Sequence, residues 1–324
     1  MSRVLLTGGA GFIGGVVARR LRERGDAVVA IVRDPARAGS LSLLGVKLVA
    51  GDLSSVEAIA SAADGVGAVI HAAGSYRIGI LPEERPAMLD ANEGTAMRVL
   101  EAAVRAGVGR TVVVSTVGVF GDTRGRVVDE TFQRDLSTGF LSYYDESKWR
   151  AHVAMLRAIE AGQPVVIVQP GQVYGLEDQS SAGGQLRAAA AGHLPYRAFD
   201  SLGLCMGHVE DVAAGVVAAF DHGRLGEAYV LAGPNHRFRE LIAQAAAVGG
   251  VRGPRLEMPA GVARLLSHLG PRVARLGGAP LNLAEVVRAS DGVTYWATSA
   301  KAERELGFHA RSIAEGFAQV YGRS

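Results

Sequence analysis

Three glycines spaced three residues apart, Gly8, Gly11 and Gly14, lie between a short apolar run, Val4–Thr7, and an amphipathic stretch, Ile13–Arg24. Periodicity reads the run as a β-strand and the stretch as a helix. A glycine-rich turn from strand to helix lets the backbone bend sharply and come close to a pyrophosphate. The unpaired N–H groups and positive end of the helix then attract that anion. The plain alternative is a glycine-rich turn that binds nothing, but the position directly after the first strand favours a nucleotide. Phe12 and Ile13 belong to the same loop and count with it as cofactor-contacting positions.

The alternation continues through the first half. Strand-like runs at Ala27–Val32, Lys47–Ala50, Ala68–His71, Thr111–Ser115 and Val165–Val168 are separated by helical stretches. Two of these are Asn92–Ala106 and a long helix that holds Tyr144 and runs to about Ala161. Such alternation predicts an α/β fold: βαβ units with right-handed crossovers and a doubly wound parallel sheet of the Rossmann type. The strands are continuous apolar runs, as required where helices cover both faces. After Pro170 the pattern loosens. Gly and Ala dominate Ser180–Gly192, read as a mobile loop leading into a helix, and Arg252–Pro280 carries several Pro and Gly residues between short helical pieces. The expected division is a nucleotide-binding domain over 1–170 and a smaller C-terminal substrate-binding lobe over 171–324, with some elements returning to the core.

Charge narrows the partners. With 34 basic and 32 acidic residues the net charge is +2, which gives no electrostatic reason to expect nucleic acid or an anionic membrane. No apolar stretch is long enough to span a bilayer. The N-terminus runs straight into a strand without a basic, apolar leader, so a cytoplasmic location is expected. A single cysteine, Cys205, excludes an intrachain disulfide and a multi-cysteine metal site, and no metal is expected.

The end of the second strand reports on the nucleotide. An acidic residue there would select NAD by accepting from the ribose 2′-hydroxyl. This chain has Val32 followed by Arg33-Asp34-Pro35-Ala36-Arg37. Arg33, with Arg37, suits a 2′-phosphate, which predicts NADP(H) over NAD(H). Asp34 complicates this, because a carboxylate turned to the ribose would still suit NAD. Asp52, before Leu53 and after the third strand, either accepts from an adenine amino group or caps the next helix. Ala72, Ala73 and Gly74 follow the fourth strand and are small enough for a cofactor to lie against the backbone, whereas His71 reads as structural.

Chemistry concentrates in Tyr144-Asp145-Glu146-Ser147-Lys148. A tyrosine and a lysine four apart on a helix share one face, about 6 Å apart along the axis. A free phenol has a pKa of about 10, too high for proton exchange near neutrality, and a neighbouring ammonium favours its ionised form. Tyr144 then acts as general acid in carbonyl reduction or general base in alcohol oxidation, and Lys148 also holds the nicotinamide ribose. Thr116, or its neighbour Ser115, is expected to orient the substrate oxygen. Tyr76 and Arg77 lie just past the fourth strand, on the side of the sheet where ligands bind, and are candidate substrate contacts.

The chain resembles the extended short-chain dehydrogenase/reductase family. The matching segments are Thr7–Gly14, Asp52-Leu53, His71–Gly74, Asn92 with Gly94-Thr95, Val114-Ser115-Thr116, Tyr144 with Lys148, and Pro170-Gly171 with Val173-Tyr174-Gly175. The resemblance implies a Rossmann sheet, a nicotinamide cofactor and a C-terminal substrate lobe. It implies the roles above for Thr116, Tyr144 and Lys148, a bracing role for Asn92, and Pro170 and Val173 bordering the nicotinamide. It also implies a dimer through Asn92–Ala106 and Tyr144–Ala161, although the same apolar faces suit packing on the sheet. Val32-Arg33-Asp34-Pro35 is similar to the dihydroflavonol-reductase-like branch. Ala68–Arg77 and Gly207–Val212 are similar to hopanoid-associated sugar epimerases.

Three functions stay open on these residues: an NADP(H)-dependent ketone or aldehyde reductase, a nucleotide-sugar epimerase or dehydratase, and a non-catalytic cofactor-sensing protein. Ser180–Leu204 holds only Arg187 and Arg197 as basic residues, which favours a substrate without a diphosphate.

Overall fold

The computed structural model describes residues 2–259, 261–262 and 282–322. The first half contains β1 (Arg3–Thr7), α1 (Phe12–Glu23), β2 (Ala27–Val32), α2 (Gly39–Leu43), β3 (Lys47–Ala50) and α3 (Val56–Ala62). Next come β4 (Ala68–His71), α4 (Arg85–Leu89), α5 (Thr95–Arg105), β5 (Thr111–Val114), α6 (Tyr143–Glu160) and β6 (Val165–Pro170). The six strands with α1, α5 and α6 follow the predicted elements closely, and α2, α3 and α4 are further short helices between them. The second half contains β7 (Gln172–Tyr174), α7 (Ser181–Ala190), β8 (Gly203–His208), α8 (Val209–His222), β9 (Ala228–Leu231), β10 (Asn235–Arg237) and α9 (Phe238–Val248). After the undescribed segment come α10 (Leu283–Ser290), β11 (Thr294–Tyr295), α11 (Ala300–Leu306) and α12 (Ile313–Tyr321).

The main sheet has seven strands in the order β3-β2-β1-β4-β5-β6-β9, all paired in parallel. Its strands bury both faces. Val4 and Leu6 of β1, with Val166 and Val168 of β6, join the core under α1, α8 and α11. Leu5 of β1 faces the opposite side, among residues of α3 and α5, and Ile167 of β6 does so among residues of α5 and α6. That two-sided burial explains why the strands read as unbroken apolar runs. β9 and α8 lie past residue 171 yet belong to this core, so elements of the C-terminal half return as expected.

The smaller lobe is built on β8, which pairs antiparallel with β10 and parallel with β11 and β7. Its core is formed by Tyr174, Leu186, Met206, Phe238, Leu241 and Phe317. The expected loop at Ser180–Gly192 is instead mostly helix α7, because the Ser180 side chain caps it by accepting from the Gly183 amide. The Pro- and Gly-rich stretch at Arg252–Pro280 falls largely outside the described residues. Among the described residues, no helix is long and apolar enough to cross a membrane.

The strand order reverses between β1 and β4. In open α/β sheets such a switch point leaves a crevice beyond the carboxyl ends of the strands, where ligands bind. The loops after β1 and β4 meet there.

Candidate active site

The first glycine of the loop is required by both conformation and space. Gly8 has φ +73°, and a Cβ on it would lie 2.5 Å from the Ala73 nitrogen. The loops after β1 and β4 are thus in backbone contact. Gly14 lies inside α1, where a Cβ would come 2.1 Å from the Gly8 carbonyl oxygen. Gly11 occupies the N-cap of α1, makes no side-chain cap hydrogen bond, and no acidic residue stands in the first turn. The leading amides of α1 therefore keep their pull on an anion. Phe12 and Ile13 start the helix, and Phe12 reaches across to Gly175, beyond β7.

Arg33 and Arg37 are both exposed at the carboxyl end of β2. Asp34 between them is committed: its carboxylate accepts from the Ala36 amide at 3.0 Å and caps a short 3-10 turn, Pro35–Arg37. One of its two carboxylate oxygens is thus engaged within the turn. Asp52 accepts from the Ser54 amide at 2.9 Å and from the Ser54 hydroxyl; these bonds, with Arg98 and Arg33 nearby, hold its carboxyl below the usual range. Leu53 gives its carbonyl to Arg98.

The chemical residues converge from three elements. Thr116 follows β5 and caps the 3-10 turn Val117–Phe120 by accepting from the Gly118 amide at 3.1 Å. Its hydroxyl also lies near the Tyr144 phenol and acts to lower it. Tyr144 is the second residue of α6, and Lys148 follows one turn later with its Nζ donating to the Val114 carbonyl at 3.4 Å. Asn92 lies in a π-helical turn, Asp90–Gly94, before α5. It accepts from the Ser75 amide at 2.8 Å and donates to the Ser75 carbonyl at 3.1 Å and to the Ser147 hydroxyl at 2.8 Å. Asn92 so ties the loop after β4 to the helix that bears Tyr144 and Lys148. Widened turns of this kind recur at functional sites.

The electrostatics differ from expectation. Tyr144 is half-buried, and desolvation pushes its phenol up, aided by Tyr76 and Asp145, with Thr116 acting the other way. Desolvation is the largest cause of this shift. Burial instead lowers the lysine to about 8, because its ammonium has lost water and meets a carbonyl where a carboxylate would have held the charge. Two buried histidines flank this ammonium. His71 shares a 2.6 Å hydrogen bond with Thr7 and is lowered to about 3, by burial and then by Lys148. His152 is lowered to about 4 for the same two reasons.

Ser115 faces His152, with its hydroxyl 3.4 Å from Nδ1, whereas Thr116 meets Tyr144. Of the two hydroxyl candidates, Thr116 is the one at the phenol. Tyr76 packs edge-on against Tyr144 with ring centroids 4.8 Å apart, while 46% of its surface stays exposed. Desolvation, and then the Asp178 carboxylate, pushes its phenol up to about 12. Arg77 is drawn away from this pair into an ion pair with Glu84. Pro170 ends β6 and Val173 sits in β7. The turn between them passes so close to β8 that a Cβ on Gly171 would lie 2.3 Å from the Cys205 carbonyl oxygen.

Sequence reasoning missed the scaffold of the catalytic helix. Ser142 caps α6 by accepting from the Asp145 amide at 3.0 Å. Arg134 forms a buried, two-pronged ion pair with Asp145 and stacks over Phe140 and Trp149. Glu285, from α10, accepts from the Tyr143 amide. A serine three residues before an aspartate is a helix-start signal that marks Ser142; Arg134 and Glu285 carry no local signal.

Comparison with known proteins identifies the family and the fold. Residues 4–232 match the family model described as the NAD dependent epimerase/dehydratase family. A protein of Synechocystis sp. named as dihydroflavonol 4-reductase-like is 30% identical over 97% of this chain and 92% of its own length. The crystal structure of gox2253 superposes with a TM-score of 0.83 at 29% identity, covering 99% of this chain and 97% of that one. The structure of MoeE5 in complex with UDP-glucose and NAD superposes with a TM-score of 0.77 at 25% identity, covering 98% and 97%.

Proposed function

The chain belongs to the NAD-dependent epimerase/dehydratase family, an extended branch of the short-chain dehydrogenases and reductases, and on that premise we propose that it is an NADP(H)-dependent reductase of a ketone or aldehyde. Oxidoreductase chemistry with a nicotinamide cofactor follows from the family. The choice of NADP(H), the residue roles and the substrate class are our reading.

The residues fit a dinucleotide. The cradle at Gly8 and Gly14 has no room for a Cβ, and α1 presents uncapped amides beside it. Gly8, Gly11, Phe12, Ile13 and Gly14 would hold the pyrophosphate, Arg33 and Arg37 the 2′-phosphate, and Asp52, Leu53 and Ala72–Gly74 the adenosine side. Lys148 would hold the nicotinamide ribose, and Pro170 and Val173 would border the nicotinamide. Bound there, the reduced nicotinamide supplies a hydride to the carbonyl carbon. Thr116 orients the carbonyl oxygen, and Tyr144 donates the proton that completes the alcohol. Lys148 keeps its ammonium near that phenol as negative charge develops. Tyr76, edge-on to Tyr144 and half exposed, forms a wall of the substrate mouth.

The observation that carries a reductase over a nucleotide-sugar epimerase is the commitment of the two basic residues in 180–204. Arg187 donates to the Asp178 carbonyl. Arg197 is paired with Asp200 at 3.0 Å and with the Pro254 carbonyl. Both guanidiniums are thus engaged within the protein, which favours a substrate without a diphosphate. The epimerase reading draws on the likeness to MoeE5, whose complex contains UDP-glucose and NAD.

Turnover decides between them. Incubated with NADPH and a panel of ketones and aldehydes, the enzyme should consume NADPH in step with alcohol formed. Tyr144→Phe should lose at least about a hundredfold in kcat, the usual scale for a general acid, while still binding NADPH. Conversion of a nucleotide sugar without net NADPH consumption would reject the reductase reading.

A further inference from the structure

A side chain in the first turn of a helix is weakly fixed by the helix itself, since the leading amides have no partner inside it and the end frays. Tyr144, the second residue of α6, has this problem. Its neighbour Tyr76 lies on a separate loop, after β4. Asn92 ties the two segments at Ser75 and Ser147, and a second tie comes from outside both.

Helix α10 contacts the residue before Tyr144 and the loop that follows Tyr76. Glu285 is only 1% exposed, and its carboxylate accepts from the Tyr143 amide at 2.5 Å, the residue before Tyr144. Asn282 holds the other carboxylate oxygen through its Nδ2 at 3.4 Å. At the start of the same helix, the Asn282 amide donates to the Gly79 carbonyl at 2.8 Å, three residues past Tyr76. Gly79 has φ +79°, and a Cβ there would lie 2.8 Å from the Val286 side chain, so the loop seats directly on α10. Arg288 adds a bond from its Nε to the Leu141 carbonyl at 3.1 Å, just before the catalytic helix begins. A carboxylate this deeply buried is costly unless its oxygens are occupied, and here a main-chain donor of the catalytic helix occupies one. A carboxylate at the N-terminus of α6 also matches the positive end of that helix.

Resting on the carbonyl-reductase reading, we infer that Glu285 is a positioning residue that, alongside Asn92, fixes the proton donor Tyr144 against Tyr76. It acts on the first turn of α6 while its own helix anchors the Tyr76 loop. It touches neither substrate nor cofactor. Its contribution lies in the hydrogen bond to the Tyr143 amide, so an uncharged acceptor of the same length serves in its place.

The test compares Glu285→Gln, Glu285→Asp and Glu285→Ala with wild type. Glutamine keeps the acceptor, aspartate keeps the charge but falls short of the amide, and alanine loses both. In the aspartate and alanine variants kcat should fall about tenfold to a hundredfold, the scale of a sub-ångström to ångström misplacement, with KM and NADPH affinity little changed. Glutamine should recover most of it. Independently of turnover, NMR of isotope-labelled tyrosine rings should show the Tyr144 and Tyr76 resonances, assigned with Tyr144→Phe and Tyr76→Phe, displaced in Glu285→Asp and restored in Glu285→Gln. Unmoved resonances in Glu285→Asp overturn the proposal, as does a glutamine variant displaced as far as aspartate. If alanine does not fold, the aspartate and glutamine pair decides. If the wild type reduces no carbonyl, the reductase reading fails while the resonances still judge the role of Glu285.

Discussion

Arg33 shows how one neighbour decides a residue's role. Arg33 and Asp34 stand together at the end of β2, where a carboxylate would select NAD and a guanidinium NADP. The fold engages one oxygen of the Asp34 carboxylate with the Ala36 amide, which supports the proposed NADP(H) reading. Arg33 stays exposed and reachable for a 2′-phosphate. Charge-assisted bonds of this kind contribute about 1.5–3 kcal/mol, so Arg33→Ala should shift the NADPH-to-NADH preference in kcat/KM by about tenfold to a hundredfold towards NADH. Steady-state kinetics with both cofactors measures the ratio, and an unchanged ratio removes Arg33 from the site. Lys148 teaches the converse. The four-residue spacing promised an ammonium that acidifies Tyr144, but burial acts on both groups, lowering the lysine and raising the phenol. Spacing alone carries no information about desolvation.

At the scale of elements, the βα turn and the π turn are the parts that cannot be altered quietly. Gly14 is helical and would tolerate alanine by conformation, yet its Cβ would press 2.1 Å from the Gly8 carbonyl. Overpacking of this kind costs roughly 1–3 kcal/mol, and here it also distorts the loop proposed to hold the pyrophosphate. Gly14→Ala should therefore lower both the denaturation midpoint and NADPH affinity, read by urea unfolding and fluorescence titration. Loss of stability with unchanged affinity would place the pyrophosphate elsewhere. The Asn92 turn is less legible from sequence. The stretch reads as ordinary helix, and only the bonds to Ser75 and Ser147 show why the backbone widens there.

For the whole molecule, two histidines buried on either side of Lys148 make stability depend on pH. Their ordinary value is 6.5, and burial lowers them to about 3 for His71 and about 4 for His152. The unfolded chain takes up protons at pH 6.5 and below that the native chain refuses. Their contribution is fully present above 6.5 and is lost as pH falls towards the folded values. Thermal unfolding should thus show Tm falling from about pH 7 to pH 5, with a shallower slope when His71 and His152 are both replaced by Asn. Equal slopes would assign the acid sensitivity to other groups.

The local code determined most of the scaffold. Unbroken apolar strands, a glycine turn after the first of them and amphipathic stretches between suffice for a parallel sheet with helices on both faces, because each signal acts within a few residues. Val4–Thr7, Gly8–Gly14 and Tyr144–Lys148 are all of this local kind. Tertiary structure decided what depends on distant partners. It placed β9 beside β6, set Thr116 rather than Ser115 against Tyr144, turned Arg77 onto Glu84, and brought Glu285 to the first turn of the catalytic helix. Glu285 and Tyr143 are 142 residues apart in the chain, and no period or motif links them. Such contacts arise only when the packed core fixes two surfaces together, and the desolvation that comes with packing sets the proton affinities of the site.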